Sequence, residues 1–418
     1  MDASKTIIIS CHCGQTRQTL ALRGNGDPFS DVLFCHCDTC RHVTGQLFTS
    51  YLPLSPVPRP NARVLQAHPT TPRETRYFCP ACGCHVFRLK HPSDQAAEEW
   101  DVATGVILDA PEPDPSTAQP KEWRHRHIND TKDGGLSIWM PNAEALPPTI
   151  PHLEPDDSPL LASCHCKLVS LSITRPSRPV SSYPDSPFPD LLLPYCSTPP
   201  STVANPSKSK WYLRETPPPP SHPGTTTHPE YRYRYLAGTC ACASCRLTSG
   251  FEIQSWAFIP LQNIRIKIRI SPGSAPIPNP NPHPGPITTD TDTVTDTNED
   301  TDTATHSDGY VPLDFASPAT TLRIGSYSSS PNVARDFCRR CGATLFWHDT
   351  HRAQLIDVSA GLLGAAGARA EDWLEWWTGR TSFSEEAGKG RQRGALRFGE
   401  GVVKGLEACL MRSRGPRE

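Results

Sequence analysis

The sequence lacks any hydrophobic run that approaches the roughly 20 apolar residues of a membrane span. It also lacks an excess of either charge, since 41 basic and 43 acidic residues leave a formal net charge of −2. Binding to phosphates or anionic lipids needs concentrated Lys and Arg, so near-neutrality argues against nucleic-acid and membrane partners. The first apolar run, Ile7-Ile8-Ile9, is too short for the hydrophobic region of a signal peptide. We therefore expect a cytoplasmic protein, with the nucleus as the alternative compartment.

Proline and cysteine, in contrast, are abundant, with 46 and 17 residues in a chain of 418. The prolines are unevenly spread, which predicts long loops outside the folded cores. They mark a Pro-rich linker at 151–159 and two insertions that we predict to be disordered, at 175–230 and 271–309. The remaining sequence consists mainly of short strand and turn patterns. We predict that it divides into a first β domain at 5–150 and a second at 160–385.

Residues 386–418 form a basic tail. Leu396, Val403, Leu406 and Leu410 would lie on one face of a terminal helix. We expect this helix to dock onto the second domain, and a membrane-surface helix is the less favoured alternative.

The cysteines form a seven-residue pattern that occurs twice, and such an internal repeat is a stronger signal than a single pair. Each copy has an outer C-x-C, an inner C-x-C-x-x-C and an outer C-x-x-C. The outer pairs are Cys11/Cys13 with Cys79/Cys82, and Cys164/Cys166 with Cys338/Cys341. The inner triplets are Cys35/Cys37/Cys40 and Cys240/Cys242/Cys245.

Seven cysteines divide naturally into a closed site with four ligands and an open site with three. In a reducing compartment, cysteines at these spacings are more often zinc ligands than disulfides. For the outer pairs, the alternative is disulfides or buried thiols without a function. For the triplets, the alternative is a structural metal site that a fourth ligand such as His36 completes. The repeat has Ala241 in place of His36, which favours the open site, although His12 and His165 match each other as spare candidates. A thioredoxin-like redox pair is disfavoured because no βαβ pattern surrounds the C-x-x-C motifs.

An arginine follows each triplet, at Arg41 and Arg246. A guanidinium at this position would offset the negative charge of the thiolates or bind a carboxylate of an anionic ligand. The alternative interpretation is a pair of ordinary surface arginines.

Four motifs of the first half together carry a family resemblance: Cys11-His12-Cys13-Gly14, Cys35-His36-Cys37-Asp38-Thr39-Cys40-Arg41, Thr44-Gly45 and Phe78-Cys79-Pro80-Ala81-Cys82-Gly83. They resemble the glutathione-dependent formaldehyde-activating enzyme family, also called the centromere protein V family. Both halves carry the resemblance. It implies an all-β fold of the Mss4-like, tent-shaped type, with two zinc ions in each domain. One zinc would be held by the outer cysteines. The other would be held by the triplet and would receive the thiol of glutathione, the cosubstrate.

We therefore hypothesise a carbon–sulfur lyase that acts on a glutathione adduct such as S-(hydroxymethyl)glutathione. The alternative is a non-catalytic zinc scaffold that binds protein or chromatin. Lys167 stands where the first copy has Gly14, so we expect a less tightly closed turn in the second copy. Long insertions flank the second triplet, so we also expect thiol binding and turnover to reside mainly in residues 5–150.

Overall fold

The structure is a computed structural model that describes residues 6–23, 27–30, 32–93, 97–112, 123–143, 158–177, 179–186, 205–216, 232–268 and 309–413. Within these ranges the chain is built almost entirely from β-sheets, which confirms the predicted all-β class. The predicted linker at 151–159, apart from its last two residues, and all of the insertion at 271–309 up to residue 308 lie outside the described residues.

The first unit contains ten described strands and one short α-helix. The strands are β1 (Thr6–Ile9), β2 (Gln18–Ala21), β3 (Leu33–Cys35), β4 (Thr49–Pro53), β5 (Gln66–Thr71), β6 (Glu74–Phe78), β7 (His85–Lys90), β8 (Glu99–Ala103), β9 (Ile107–Ala110) and β10 (Arg124–Arg126), and the helix is α1 (Asp38–Thr44). They form a sheet in the order β2-β1-β9 and a larger one in the order β10-β3-β4-β8-β7-β6-β5. β-branched residues favour β1, where Ile7 and Ile9 alternate into the core.

The second unit has twelve described strands and three α-helices. The strands are β11 (Leu160–Ser163), β12 (Ser170–Ile173), β13 (Leu213–Thr216), β14 (Arg232–Cys240), β15 (Gln254–Pro260), β16 (Ile264–Lys267), β17 (Tyr310–Pro312), β18 (Ile324–Ser330), β19 (Val333–Cys338), β20 (Thr344–Asp349), β21 (Leu355–Ser359) and β22 (Leu374–Trp376). The helices are α2 (Ala243–Ser249), α3 (Pro318–Thr321) and α4 (Arg393–Ser413). Short 3-10 turns in the two units are Thr104–Val106, Ile128–Thr131, Gly135–Trp139, Val180–Ser182, Leu261–Asn263, Ala360–Leu362 and Ser384–Glu386.

The large sheet of the second unit repeats that of the first. Its order is β13-β14-β15-β21-β20-β19-β18, and β22 adds to β14 in parallel, as β10 adds to β3. The register agrees residue by residue: Arg76 lies opposite Arg88, and Arg335 lies opposite Trp347. The repeat seen in the cysteines therefore extends to the whole sheet.

The first insertion is partly ordered, so the prediction of disorder throughout 175–230 is wrong. β13 pairs with β14 over four residues, and Trp211 and Tyr212 just before it are buried. Trp211 packs edge-on against Phe258, with ring centroids 5.1 Å apart. The proline-rich composition hid a short aromatic segment that has enough apolar surface to dock.

The predicted terminal helix exists as α4, and its Val403, Leu406 and Leu410 are buried as expected. Its predicted docking partner is wrong, because α4 packs on the first unit. Phe398 stacks on Phe29 with centroids 4.4 Å apart. The chain therefore returns to cover its own N-terminal half. Among the described residues, no helix combines the length and apolar composition that crossing a membrane requires.

Candidate functional site

Both outer sets of cysteines come together as four-thiol clusters. Cys11, Cys13, Cys79 and Cys82 form one, and Cys164, Cys166, Cys338 and Cys341 form the other, with all sulfur atoms of a cluster within 4.8 Å of one another. The printed sequence also contains Cys196, which lies outside the described residues; all the described cysteines are free thiols. The outer cysteines therefore do not form disulfides in this structure.

The spacing of these thiols suits zinc. Sulfur–sulfur distances are 3.3 Å for Cys11–Cys13, 3.5 Å for Cys13–Cys79 and 3.7 Å for Cys164–Cys338. Tetrahedral zinc with Zn–S bonds of about 2.3 Å requires sulfurs about 3.8 Å apart. The donor sets therefore fit closed, four-ligand structural sites.

Tight turns present the outer cysteines. Gly83 and Gly342 both have φ near 76°, a left-handed conformation that glycine adopts without strain. Lys167 also adopts a left-handed φ, of 59°, and its amide donates to the Cys164 carbonyl at 3.1 Å. The Gly14 amide donates to the Cys11 carbonyl at the same distance, so the expectation of a looser second turn is wrong.

The inner triplets each gather three sulfurs: Cys35, Cys37 and Cys40 in the first unit, and Cys240, Cys242 and Cys245 in the second. Within the described residues, no fourth His, Cys, Asp or Glu joins either triplet. His36 does not join the three sulfurs, and its Nε2 is 2.9 Å from His125 Nδ1. The spare candidates do not join them either: His12 Nδ1 is 2.8 Å from Tyr327 Oη, and His165 Nδ1 is 3.1 Å from His68 Nε2. The donor chemistry fits a zinc ion with one position left for an external ligand.

A short helix of seven residues, about two turns, fixes two sulfurs of each triplet. Cys37 and Cys242 cap α1 and α2, and their sulfurs accept from the Cys40 and Cys245 amides at 3.4 and 3.2 Å. A glycine with positive φ ends each helix. The C-x-x-C spacing therefore places both thiols on the same side of the first turn.

The arginines that face the triplets are Arg76 and Arg335, which the sequence analysis did not single out. Arg76 Nη2 is 3.1 Å from Cys40 Sγ, and Arg335 Nη1 is 3.3 Å from Cys245 Sγ. Both side chains are buried. A shared signal was available: each arginine lies three residues before the first cysteine of its C-x-x-C motif, on the strand that leads into that motif.

Arg41 and Arg246 lie behind the triplets instead. Arg41 Nη2 donates to the Leu363 carbonyl at 3.1 Å, and Arg246 Nη1 donates to the Gly105 carbonyl at 2.6 Å. Each bond crosses to the other unit. Burial, followed by the charge of Arg391, lowers the pKa of Arg246 to about 9. The idea that these two arginines bind an anionic ligand stays a prediction, and their contacts in this structure serve the interface between the units.

The charge around each triplet favours a thiolate. Hydrogen bonds from Cys35 and Cys37, together with the charge of Arg76, hold the pKa of the Cys40 thiol well below its usual range. Hydrogen bonds from Cys240 and Cys242, with Arg335, do the same for Cys245. Burial alone would lower the pKa of Arg335, but the Cys245 and Cys242 thiolates raise it above its ordinary value. The neighbouring thiols raise the pKa of Cys35 and Cys240, so Cys40 and Cys245 are the thiols that ionise most readily, and each has a fixed cation beside it.

A cavity of about 440 Å³ opens onto the second triplet. All three of its thiols contribute to the lining, as do Arg335, Arg352 and an aromatic set consisting of Trp256, Phe258, Trp347 and Phe383. This volume is within the usual range for small-molecule sites. A thiol-bearing ligand of tripeptide size can therefore reach the sulfur cluster.

Residues 6–124 match the family model described as "Glutathione-dependent formaldehyde-activating enzyme". The first unit is a domain of this family. The match covers Cys11, Cys13, Cys79 and Cys82 and the first triplet, so these clusters belong to a family whose description names glutathione. No curated protein and no solved structure matches the chain. The second unit lies outside the matched residues; it shares with the first the strand order of the large sheet and both kinds of cysteine cluster.

Proposed function

We propose that the chain is a zinc-dependent enzyme of the carbon–sulfur lyase class that acts on a glutathione adduct such as S-(hydroxymethyl)glutathione. The observation that carries this proposal is the three-thiol cluster bordering a cavity, with an arginine on the thiols. The family of the first unit supports glutathione as the thiol. Zinc and glutathione as the two cofactors follow from the same argument, as do two metal ions in each unit.

In the direction of synthesis, the thiol sulfur of glutathione bonds to the carbonyl carbon of the aldehyde, the C=O π bond breaks, and the thiol proton goes to the oxygen. The lyase direction is the reverse. Zinc at the triplet would hold the incoming thiol as a thiolate and so make it nucleophilic. Within the chain, Cys240, Cys242 and Cys245, or Cys35, Cys37 and Cys40, fix the position of the reacting sulfur. Arg335 or Arg76 offsets the added negative charge.

The test is exchange between formaldehyde and its glutathione adduct, followed by NMR on the zinc-loaded full chain. We expect the protein to accelerate exchange, and we expect the double variant Cys37→Ser/Cys242→Ser to abolish that acceleration. Cys409→Ser is the matched control, because Cys409 lies on α4 outside every cluster. If the wild-type chain accelerates nothing and binds no glutathione, the enzyme proposal fails and the zinc scaffold becomes the better account.

A further inference from the structure

The second triplet lies against a wall of aromatic rings. Trp256 packs directly with the buried Cys240 and Cys245, and Trp347 and Phe383 cover the same group from the cavity side. Arg352 holds Trp347 in place: its guanidinium is 4.5 Å from the centre of that ring and 3.0 Å from the Asp357 carboxylate. One wall of the space next to the sulfur cluster is therefore aromatic, while Arg335, Asp349 and Glu386 contribute charged groups to the rest of the lining.

In the first unit Tyr51 stands at the position of Trp256, but the position of Trp347 is polar. The strand register equates Trp347 with Arg88, since they lie opposite Arg335 and Arg76 respectively. Arg88 is bound to Asp101 at 2.7 Å and lies over the ring of Tyr51, 4.4 Å from its centre. An ion-paired arginine thus occupies the place that a half-buried indole takes in the second unit.

The two units also differ in the charged partners of the arginine beside the triplet. The register equates Val333 with Glu74, and the Glu74 carboxylate is 2.8 Å from Arg76. In the second unit Arg335 bonds to Cys245 and, at 2.9 Å, to Ser329. Across the described ranges, no carboxylate lies within 4.0 Å of Arg335. Arg76 is already neutralised by a carboxylate, whereas the hydrogen-bond partners of Arg335 are the sulfurs of Cys245 and Cys242 and a neutral hydroxyl, so its charge can balance a bound thiolate.

We propose that the second triplet is the working site, and that its substrate carries an aromatic or broad apolar group on the carbon bonded to sulfur. The substrate class is the hemithioacetal of a glutathione-type thiol with an aromatic aldehyde, rather than with formaldehyde. The thiol adds to the aldehyde carbonyl, a C–S bond forms, the C=O π bond breaks and the thiol proton moves to oxygen. This inference rests on the proposed function and reverses the sequence-based expectation that residues 5–150 do most of the work. Trp347 and Trp256 are then the specificity-determining residues.

The test compares two stable thioethers, S-benzylglutathione and S-methylglutathione, together with glutathione itself. Calorimetry on the zinc-loaded full chain gives the affinities, and quenching of tryptophan fluorescence reports contact with the cavity wall. We expect S-benzylglutathione to bind at least about tenfold more tightly than S-methylglutathione, because the ring would bury apolar surface against the indoles. Trp347→Ala should reduce this ratio several-fold with the zinc content unchanged. Tyr77→Ala is the control, because it removes a half-buried aromatic ring from the equivalent sheet of the first unit. It should leave the ratio of the two affinities unchanged.

Two further variants locate the site and its charge. Val333→Glu copies Glu74 and should weaken glutathione more than either thioether, because a neutralised Arg335 no longer balances the thiolate that only glutathione brings. Binding of S-benzylglutathione should be lost in Cys242→Ser and kept in Cys37→Ser; the opposite result would overturn the assignment to the second unit.

If glutathione binds but the benzyl and methyl thioethers bind equally well, the aromatic substrate class is wrong while the proposed function stands. If none of the three ligands binds, the proposed function itself fails.

Discussion

The Gly105 amide donates a hydrogen bond to the Gly250 carbonyl at 2.9 Å, so the backbones of the two units touch where neither residue has a side chain. The equivalent bond runs from the Gly361 amide to the Gly45 carbonyl at 3.1 Å. The two hydrogen bonds are equivalent, with the roles of the units exchanged, as in a dimer with two-fold symmetry. One continuous cluster of buried apolar residues accordingly runs through both units.

Gly250→Ala should destabilise the chain strongly. Gly250 has φ of +92°, and an added Cβ would lie 2.1 Å from the His85 carbonyl oxygen of the other unit. The left-handed backbone alone costs an alanine about 1–2 kcal/mol, and the backbone clash should bring the total loss above about 3 kcal/mol. Chemical denaturation of the full chain measures it.

Gly390→Ala is the matched control, with φ of +74° and open space around the added Cβ. It should show the backbone cost alone. Equal losses in the two variants would mean that the contact between the units is not tight.

Outer and inner cysteines should differ in their effect on stability. Cys338→Ser should unfold the second unit, because metal binding at a four-thiol site is part of its folding free energy. Cys242→Ser should leave the fold largely intact and remove thiol binding. Circular dichroism and zinc content measured on the same samples separate the two outcomes. Unfolding of Cys242→Ser to the same degree would make the triplet structural and would remove the main support for an enzyme.

His85 should make the chain sensitive to acid. Burial, with the nearby charge of Arg76, lowers its pKa to about 3, whereas an unfolded histidine titrates near 6.5. Between these values the unfolded state binds the extra proton, so the contribution of His85 to stability is present above pH 6.5 and is lost as the pH falls toward 3.

The second unit has Thr344 at the equivalent place, after Ala343 as His85 follows Cys84. His85→Thr should therefore flatten the dependence of unfolding free energy on pH by up to about 1.4 kcal/mol per pH unit below pH 6. Denaturation curves at several pH values, with free zinc buffered, test this. A steeper dependence in the variant would contradict the assigned neutral state.

Arg335→Met should shift thiol binding to higher pH. Without the guanidinium beside Cys245, the bound thiolate is less stabilised, so glutathione affinity should fall at pH 7 and recover as the pH rises. Arg265→Met, outside the residues that line the cavity, serves as the control. A uniform loss of affinity at every pH would indicate that Arg335 acts only by packing.

The sequence predicted the clusters because metal ligation fixes cysteine spacing within short turns. The structure gathers the thiols in groups of four and three, with Cys79 beside Cys11 and Cys35 beside Cys40. Features that depend on pairing between distant strands were not predictable in this way. Arg335 reaches Cys245 only because β14, β15, β21, β20 and β19 are neighbours in one sheet.

Tertiary contacts decided the remaining features. The apolar pattern around Leu406 predicted that α4 exists but not that it packs on the first unit. The apolar face of a helix does not specify which surface it covers. The cavity beside Trp347 has no sequence signal of its own, because its wall combines residues from six separate segments.

The most direct test of the account is zinc X-ray absorption spectroscopy on the fully loaded chain, before and after addition of glutathione. Two four-thiol and two three-thiol sites give an average of 3.5 sulfur ligands per zinc. Saturation with glutathione should raise the average to about 3.75 if only the second triplet binds it, and to 4 if both do. An average of 4 before any thiol is added, or one that stays at 3.5 in excess glutathione, would contradict the open thiol-binding site.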